Sequence, residues 1–115
     1  MLEDSLVTVT DATFAELVLG APGPVVVDFW AQWCPPCRPM AKILAELAEE
    51  LRGQVTIAKL DSDANPETTR AYRVLSMPTL LFFRNGIVVN TMVGLRPKST
   101  LRSALTNAFD SYANR

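Results

Sequence analysis

The chain has 115 residues, about half of them apolar, with 11 basic against 12 acidic side chains. That length suits one hydrophobic core and one domain, residues 1–115. The charge balance gives no electrostatic footprint for nucleic acid or an anionic membrane surface.

The apolar run Val25 to Val27 is broken at once by Asp28, and nothing reads as a bilayer span. Met1-Leu2-Glu3-Asp4 lacks the apolar stretch of a secretory signal, and a soluble cytoplasmic protein is expected. Histidine is absent, which excludes His general bases, Cys–His dyads and His-containing zinc sites. Two cysteines alone do not close a tetrahedral zinc site, so no metal is assigned.

In chain order, Leu6 to Thr10 reads as a first strand. Thr10 or Asp11 can cap a helix with Phe14, Leu17 and Val18 on its apolar face. Gly20 to Pro24 breaks it. Val25 to Trp30 is a continuous β-branched and aromatic run, the pattern of a strand covered on both faces. Met40, Leu44, Leu47 and Leu51 recur at helical spacing, so a helix runs from Cys37 to about Leu51 and Gly53 ends it. Val55 to Leu60 is a strand. Asn65-Pro66-Glu67 has the cap, first-turn proline and early acid of a helix reaching about Tyr72. Thr79 to Phe83 and Ile87 to Val93 flank Asn85-Gly86, a hairpin signal. A last helix opens near Pro97 and buries Leu101, Leu105, Ala108 and Phe109. The order β-α-β-α-β-α-β-β-α is an α/β fold: a mixed, mostly parallel central sheet, the hairpin supplying its antiparallel pair, with helices on both faces.

The chemical centre is Trp33-Cys34-Pro35-Pro36-Cys37-Arg38, between the buried strand and the long helix. A CxxC at such a junction puts its first cysteine at a helix N-terminus, where free N–H groups and the macrodipole favour a thiolate. The thiolate is the attacking species in thiol–disulfide exchange. The βαβ context favours redox chemistry over an inert disulfide or half of a zinc site shared between chains. Asp28 has apolar neighbours. A buried carboxyl there would have a raised pKa and suit a general base, while an exposed strand-end aspartate is the commoner fate of this residue type.

The sequence resembles the thioredoxin family from Phe14 to Leu105. Val27-Asp28-Phe29-Trp30-Ala31, Trp33-Cys34-Pro35-Pro36-Cys37, Ala58-Lys59-Leu60-Asp61, Met77-Pro78-Thr79-Leu80, Asn85-Gly86 and Val93-Gly94 carry the likeness, in order. The resemblance implies a thioredoxin fold and a dithiol/disulfide electron carrier with protein-disulfide reductase activity. It implies Cys34 as nucleophile, Cys37 as resolving thiol, Asp28 as the base serving Cys37, and Lys59 as a modulator of Asp28, against a solvated strand-edge lysine. It also implies a cis Met77–Pro78 bond, where the residues alone suggest only a strand boundary. Trp33, Met77, Pro78, Val93 and Gly94 would form a docking surface, with Met77 offering its backbone to an extended substrate; Trp30 would face inward.

The implied partners are disulfide-containing client proteins and a flavin-containing, NADPH-dependent thioredoxin reductase. No bound cofactor, nucleic acid or membrane is expected, and the chain is expected to be a monomer. Rival readings are an oxidase or isomerase on the same fold and an assembly or processivity subunit. Two departures stand out. Pro35 replaces the family's usual glycine, so Pro35 and Pro36 are the residues expected to tune the redox potential. Lys42 stands where the family has a helix-kinking proline, and Pro39 comes earlier.

Overall fold

Val25–Trp30 forms the central strand, β2, of a five-stranded sheet. The others are β1 (Val7–Thr8), β3 (Thr56–Asp61), β4 (Thr79–Arg84) and β5 (Ile87–Val93), in the spatial order β1-β3-β2-β4-β5. The computed structural model describes residues 5–113. β1 and β2 pair parallel to β3, and β4 pairs antiparallel to both β2 and β5.

The sheet is mixed, with helices on both faces, as expected. It has one antiparallel pairing more than the hairpin alone, that of β4 on β2. The cause lies in α2 (Pro66–Ala71), which has six residues. Such a helix rises about 9 Å, against the roughly 20 Å a six-residue strand spans. It does not carry the chain back past the sheet, so β4 starts at the end where β3 stops.

Side chains alternate along β2. Val26 faces a core built with Met40, Leu44 and Leu47 of α1 (Cys37–Glu50) and Leu101, Leu105 and Phe109 of α3 (Lys98–Ala113). Val25, Val27 and Phe29 face the opposite core, where Phe14, Val18, Val74 and Phe83 cover them. Phe14, Tyr72 and Phe83 pack ring on ring there, at centroid distances of 5.4–5.6 Å. The helical spacing in α1 and α3 therefore reads out as burial, with Ala108 at the core's margin. Arg102 forks onto Glu50 at 2.9 and 3.0 Å, and Lys98 reaches both Glu46 and Glu50. The hydrogen bonds from Arg102 and then Lys98 hold the Glu50 carboxyl down at about 2. The pairs are solvated, so they orient α3 on α1 more than they stabilise it.

No proline lies in the interior of α1. Pro39 is its third residue, where the N–H would lack an intrahelical partner anyway, so it removes no hydrogen bond. The hairpin turn is as expected, with φ of +52° at Asn85 and +77° at Gly86.

Three expectations are corrected. The first strand is two residues long, not Leu6 to Thr10: the ladder ends with the Val9 N–H on Lys59 O (2.9 Å), and Thr10 then turns to exchange hydrogen bonds with Thr13. The helix after it is a short segment of π geometry, Ala15–Leu19, closed by the Gly20 N–H on Ala15 O (2.8 Å). Its wider winding keeps Phe14 and Val18 inside but turns Leu17 outward, leaving it 38% exposed. Lastly, Asn65 occupies the cap position of α2 without bonding its N–H groups. Asp11 does so from across the molecule, accepting from Glu67 N–H (3.2 Å) and Thr68 N–H (2.9 Å), while Asn65 Oδ1 accepts the Asp11 N–H (2.8 Å).

Desolvation opposes the charge on Asp11, but its hydrogen bonds from Thr68 and Glu67 together hold the carboxyl below the ordinary range. A carboxyl so lowered stabilises the fold at pH above its unfolded value, and that contribution disappears as pH falls through the folded value. Asp11→Ala is therefore expected to lower Tm by a few degrees at pH 7 and by less at pH 3. Thermal melts at the two pH values check this. Equal losses at both would remove the charge from the account.

Candidate functional site

The ends of four strands meet at one edge of the sheet. Phe29 pairs with Thr79, and Thr79 with Val93; on the other side Trp30 pairs with Asp61. The loops that continue from these positions carry Cys34, Pro78, Gly94 and Asp63. The Met77–Pro78 bond is cis, and Pro78 O accepts the Gly94 N–H at 2.8 Å. Gly94 has φ +91°, a conformation that L side chains rarely adopt. The Met77 N–H and C=O enter no backbone hydrogen bond among the described residues.

Cys34 and Cys37 are joined as a disulfide, their Cα atoms 5.4 Å apart, and both are almost completely buried. Trp30, Ala31 and Met77 pack against the pair. α1 begins at Cys37, so the sulfurs sit at the head of the helix. Its first turn is poor in donors. Pro35, Pro36 and Pro39 have no N–H. The Cys37 N–H is bonded to Cys34 O (3.1 Å) and the Arg38 N–H to Pro35 O (3.4 Å).

Behind the disulfide opens a cleft of about 460 Å³, lined by Asp28, Trp30, Cys37, Arg38 and Lys59 among others. Asp28 is 1% exposed, and its Oδ1 has no hydrogen-bond partner among the described residues. Burial pushes its carboxyl up from 3.8 to about 7, against the pull of Lys59. Lys59 is directly opposite Asp28 on β3 and half-buried, so it faces the acid from the neighbouring strand and is not a free surface lysine. Trp30 is half-buried, with its Nε1 also unpartnered.

Trp33 is 64% exposed and Val93 48%, while Met77 is half-buried and Pro78 buried. The structure thus gathers every residue singled out from the sequence into one region, with a polar cleft on one side of the disulfide and an apolar front on the other. Asp63 has no place in the sequence reading, yet its Oδ2 accepts the Trp33 Nε1–H at 2.8 Å. A lone aspartate in a loop gave no periodic or motif signal.

A pair of cysteines at a helix head, beside a cleft that Cys37 lines, opens and closes by exchange with other thiols. The protein is accordingly one of the thiol–disulfide oxidoreductases. Residues 5–107 match the sequence model of the thioredoxin family. The thioredoxin of Mycolicibacterium smegmatis is 47% identical over 111 residues, which cover 94% of this chain and 99% of that protein. The thioredoxin of Mycobacterium tuberculosis is 46% identical over 105 residues, 91% of this chain and 90% of that one. A bifunctional thioredoxin reductase/thioredoxin of Mycobacterium leprae is 46% identical over 101 residues, 88% of this chain and 22% of its own length. The chain belongs to the thioredoxin family.

The donor-poor helix head has a measurable consequence. A glycine at position 35 would add an N–H beside the Cys34 sulfur and stabilise its thiolate. Such a bond, partly solvated, is worth ~1 kcal/mol, or ~20 mV for a two-electron couple. Pro35→Gly is expected to raise the reduction potential by about that amount and to lower the Cys34 pKa. Equilibration against a defined thiol–disulfide buffer measures the first and thiolate absorbance the second; an equal or lower potential in the glycine variant would contradict the account.

Proposed function

We propose that the protein reduces disulfides in client proteins, with Cys34 as nucleophile, Cys37 as resolving thiol and Asp28 as general base. The observation that carries this is the cleft shared by Asp28 and Cys37: the acid has a route to one cysteine of the pair. In the reduced protein the Cys34 thiolate attacks a client disulfide, forms a mixed disulfide and expels one client thiolate, which takes up a proton. Cys37 loses its proton to Asp28, through water in the cleft, and attacks the Cys34 sulfur. The second client thiolate leaves, and Cys34–Cys37 is again a disulfide, two electrons having passed to the client.

The client docks on Trp33, Met77, Pro78, Val93 and Gly94. Its extended backbone pairs with the unengaged N–H and C=O of Met77. Lys59 moderates the rise in the Asp28 pKa, and Pro35 with Pro36 sets the potential. A thioredoxin reductase returns the two electrons; the fused reductase in the leprosy bacillus relative supports that partner. A dithiol supplied in this way works in a reducing compartment, so we place the protein in the cytoplasm, acting as a monomer. Among the described residues no helix is long and apolar enough to cross a membrane.

The protein should reduce insulin with dithiothreitol as donor. Cys34→Ser should abolish the activity, and Cys37→Ser should trap reductant-sensitive adducts on non-reducing gels. Trapping by Cys34→Ser instead would reverse the two roles.

Asp28 gives a pH signature. Below about pH 7 its carboxyl is neutral and no base; above ~8.5 an ordinary thiol ionises unaided. The kcat deficit of Asp28→Asn is expected to peak between those values and narrow on both sides. A uniform deficit would indicate damage to the fold. The same substitution should stabilise the protein. A carboxyl raised from 3.8 to about 7 by folding loses stability for the fold as pH climbs through that interval, by up to ~4 kcal/mol. Urea titrations of the oxidised variant should show its advantage at pH 8 and almost none at pH 4.

A further inference from the structure

Trp33 is a large apolar side chain left 64% exposed beside the nucleophile, yet its polar edge is tied down. Its Nε1–H donates to Asp63 Oδ2 at 2.8 Å, joining the loop after β2 to the loop after β3 across thirty positions of sequence. The acceptor is itself held. Asp61, the last residue of β3, accepts the Asp63 N–H at 3.0 Å and the Ala64 N–H at 3.4 Å on Oδ1. This turn fixes the backbone from which Asp63 projects, and the pairing of Asp61 with Trp30 ties that backbone to the sheet. An exposed hydrogen bond contributes little to stability. What it does is restrict an indole that would otherwise sample several rotamers, each of which a docking partner would have to freeze.

We propose that Asp63 is a positioning residue for client capture: it holds the Trp33 ring in one pose, so that the docking face is formed before the client arrives. This rests on the reading of Trp33 as a docking residue. Asp63 itself touches neither the reacting sulfurs nor the client. Its effect belongs in KM for protein disulfides and not in kcat, and it is absent for a small aromatic disulfide that needs only Cys34. The requirement is for an acceptor and not for a charge, so an amide oxygen serves.

The test is steady-state reduction of insulin and of a small aromatic disulfide by Asp63→Ala, Asp63→Asn and Trp33→Phe, and by the double variant Asp63→Ala/Trp33→Phe. Asp63→Ala should raise KM for insulin about 3- to 10-fold, the range of one hydrogen bond's worth of ordering, with kcat and the small-disulfide rate unchanged. Asp63→Asn should restore KM to within about twofold. In the Trp33→Phe background, which has no indole donor, Asp63→Ala should add nothing. The Trp33 indole N–H resonance should shift and exchange faster with solvent in Asp63→Ala but not in Asp63→Asn. An unchanged KM in Asp63→Ala overturns the proposal, as does additivity with Trp33→Phe. An asparagine variant as impaired as the alanine one also overturns it, assigning the effect to charge. If Trp33→Phe and Trp33→Ala leave KM for insulin unchanged, the docking role of Trp33 fails and the proposal with it; if they raise KM and Asp63→Ala does not, only the positioning role fails.

Discussion

The register of β2 against its two neighbours is the constraint on which the site depends. Asp28 is paired with Lys59 on one side and Leu80 on the other, and one step further along Phe29 is paired with Leu60 and Thr79. A slip of one residue would exchange the two faces of the strand. Val26 would leave the core under α1, Phe29 would enter it, and Asp28 would point away from the cleft that opens on Cys37. The apolar residues forbid this, because the two cores they fill differ in shape and content: one is largely Leu and Met from two helices, the other a nest of Phe, Tyr and Val. Packing thereby fixes the position of a polar group that packing alone would expel.

Asp28 runs against the fold's own interest. A carboxyl 1% exposed, with one oxygen unpartnered, is held where ionisation is unfavourable. Lys59 opposes the rise in its pKa but does not cancel it. The lysine is half-buried and lines the cleft, whereas the acid is 1% exposed and bears the full desolvation. The direction of the shift is thus decided by burial. A buried acid that ionises near neutrality and lines a cleft shared with a cysteine supports the proposed role of general base, since an apolar residue at the same place would be the more stable choice.

The sequence made the architecture legible wherever periodicity was strong. α1, β2, the β4–β5 hairpin and α3 lie within a residue or two of where spacing and turn residues put them. The weaker places share one cause, which is that the deciding partner is far away in sequence. Leu17 looks helical-apolar locally, but its segment winds as a π-helix that leaves it exposed, while Phe14 just before it packs on Phe83 and Tyr72. Asn65 looks like a cap, but Asp11, more than fifty residues earlier, supplies the acceptors. The antiparallel entry of β4 follows from the shortness of α2, whose bounds the sequence placed within a residue but whose consequence for strand direction local spacing does not carry. In the site, the cysteines were legible from local context, whereas Asp28 stayed open between a buried acid and an exposed strand-end one until family likeness favoured the first. The cis bond before Pro78 and the docking residues came from family likeness, and Asp63 from neither.

The disulfide also divides its surroundings into two kinds of surface with different work to do. On the cleft side are charged and polar groups: Asp28, Lys59, Arg38 and the unpartnered Trp30 Nε1. On the front are Trp33, Met77 and Val93, with the Met77 backbone groups unpaired among the described residues. In the proposed mechanism a proton leaves Cys37 into the cleft while the client is held on the front, and the separation suits both needs. The prolines sharpen it. In the stretch 35–39 only Cys37 and Arg38 possess an N–H, and both donate to backbone carbonyls. Direct backbone donors are therefore scarce at the head of α1, and the Cys34 thiolate must draw on the helix macrodipole and on Arg38, longer-ranged and more easily screened. Weaker stabilisation of the thiolate favours the disulfide over the dithiol, so on the proposed reading Pro35 and Pro36 bias the protein toward giving electrons away.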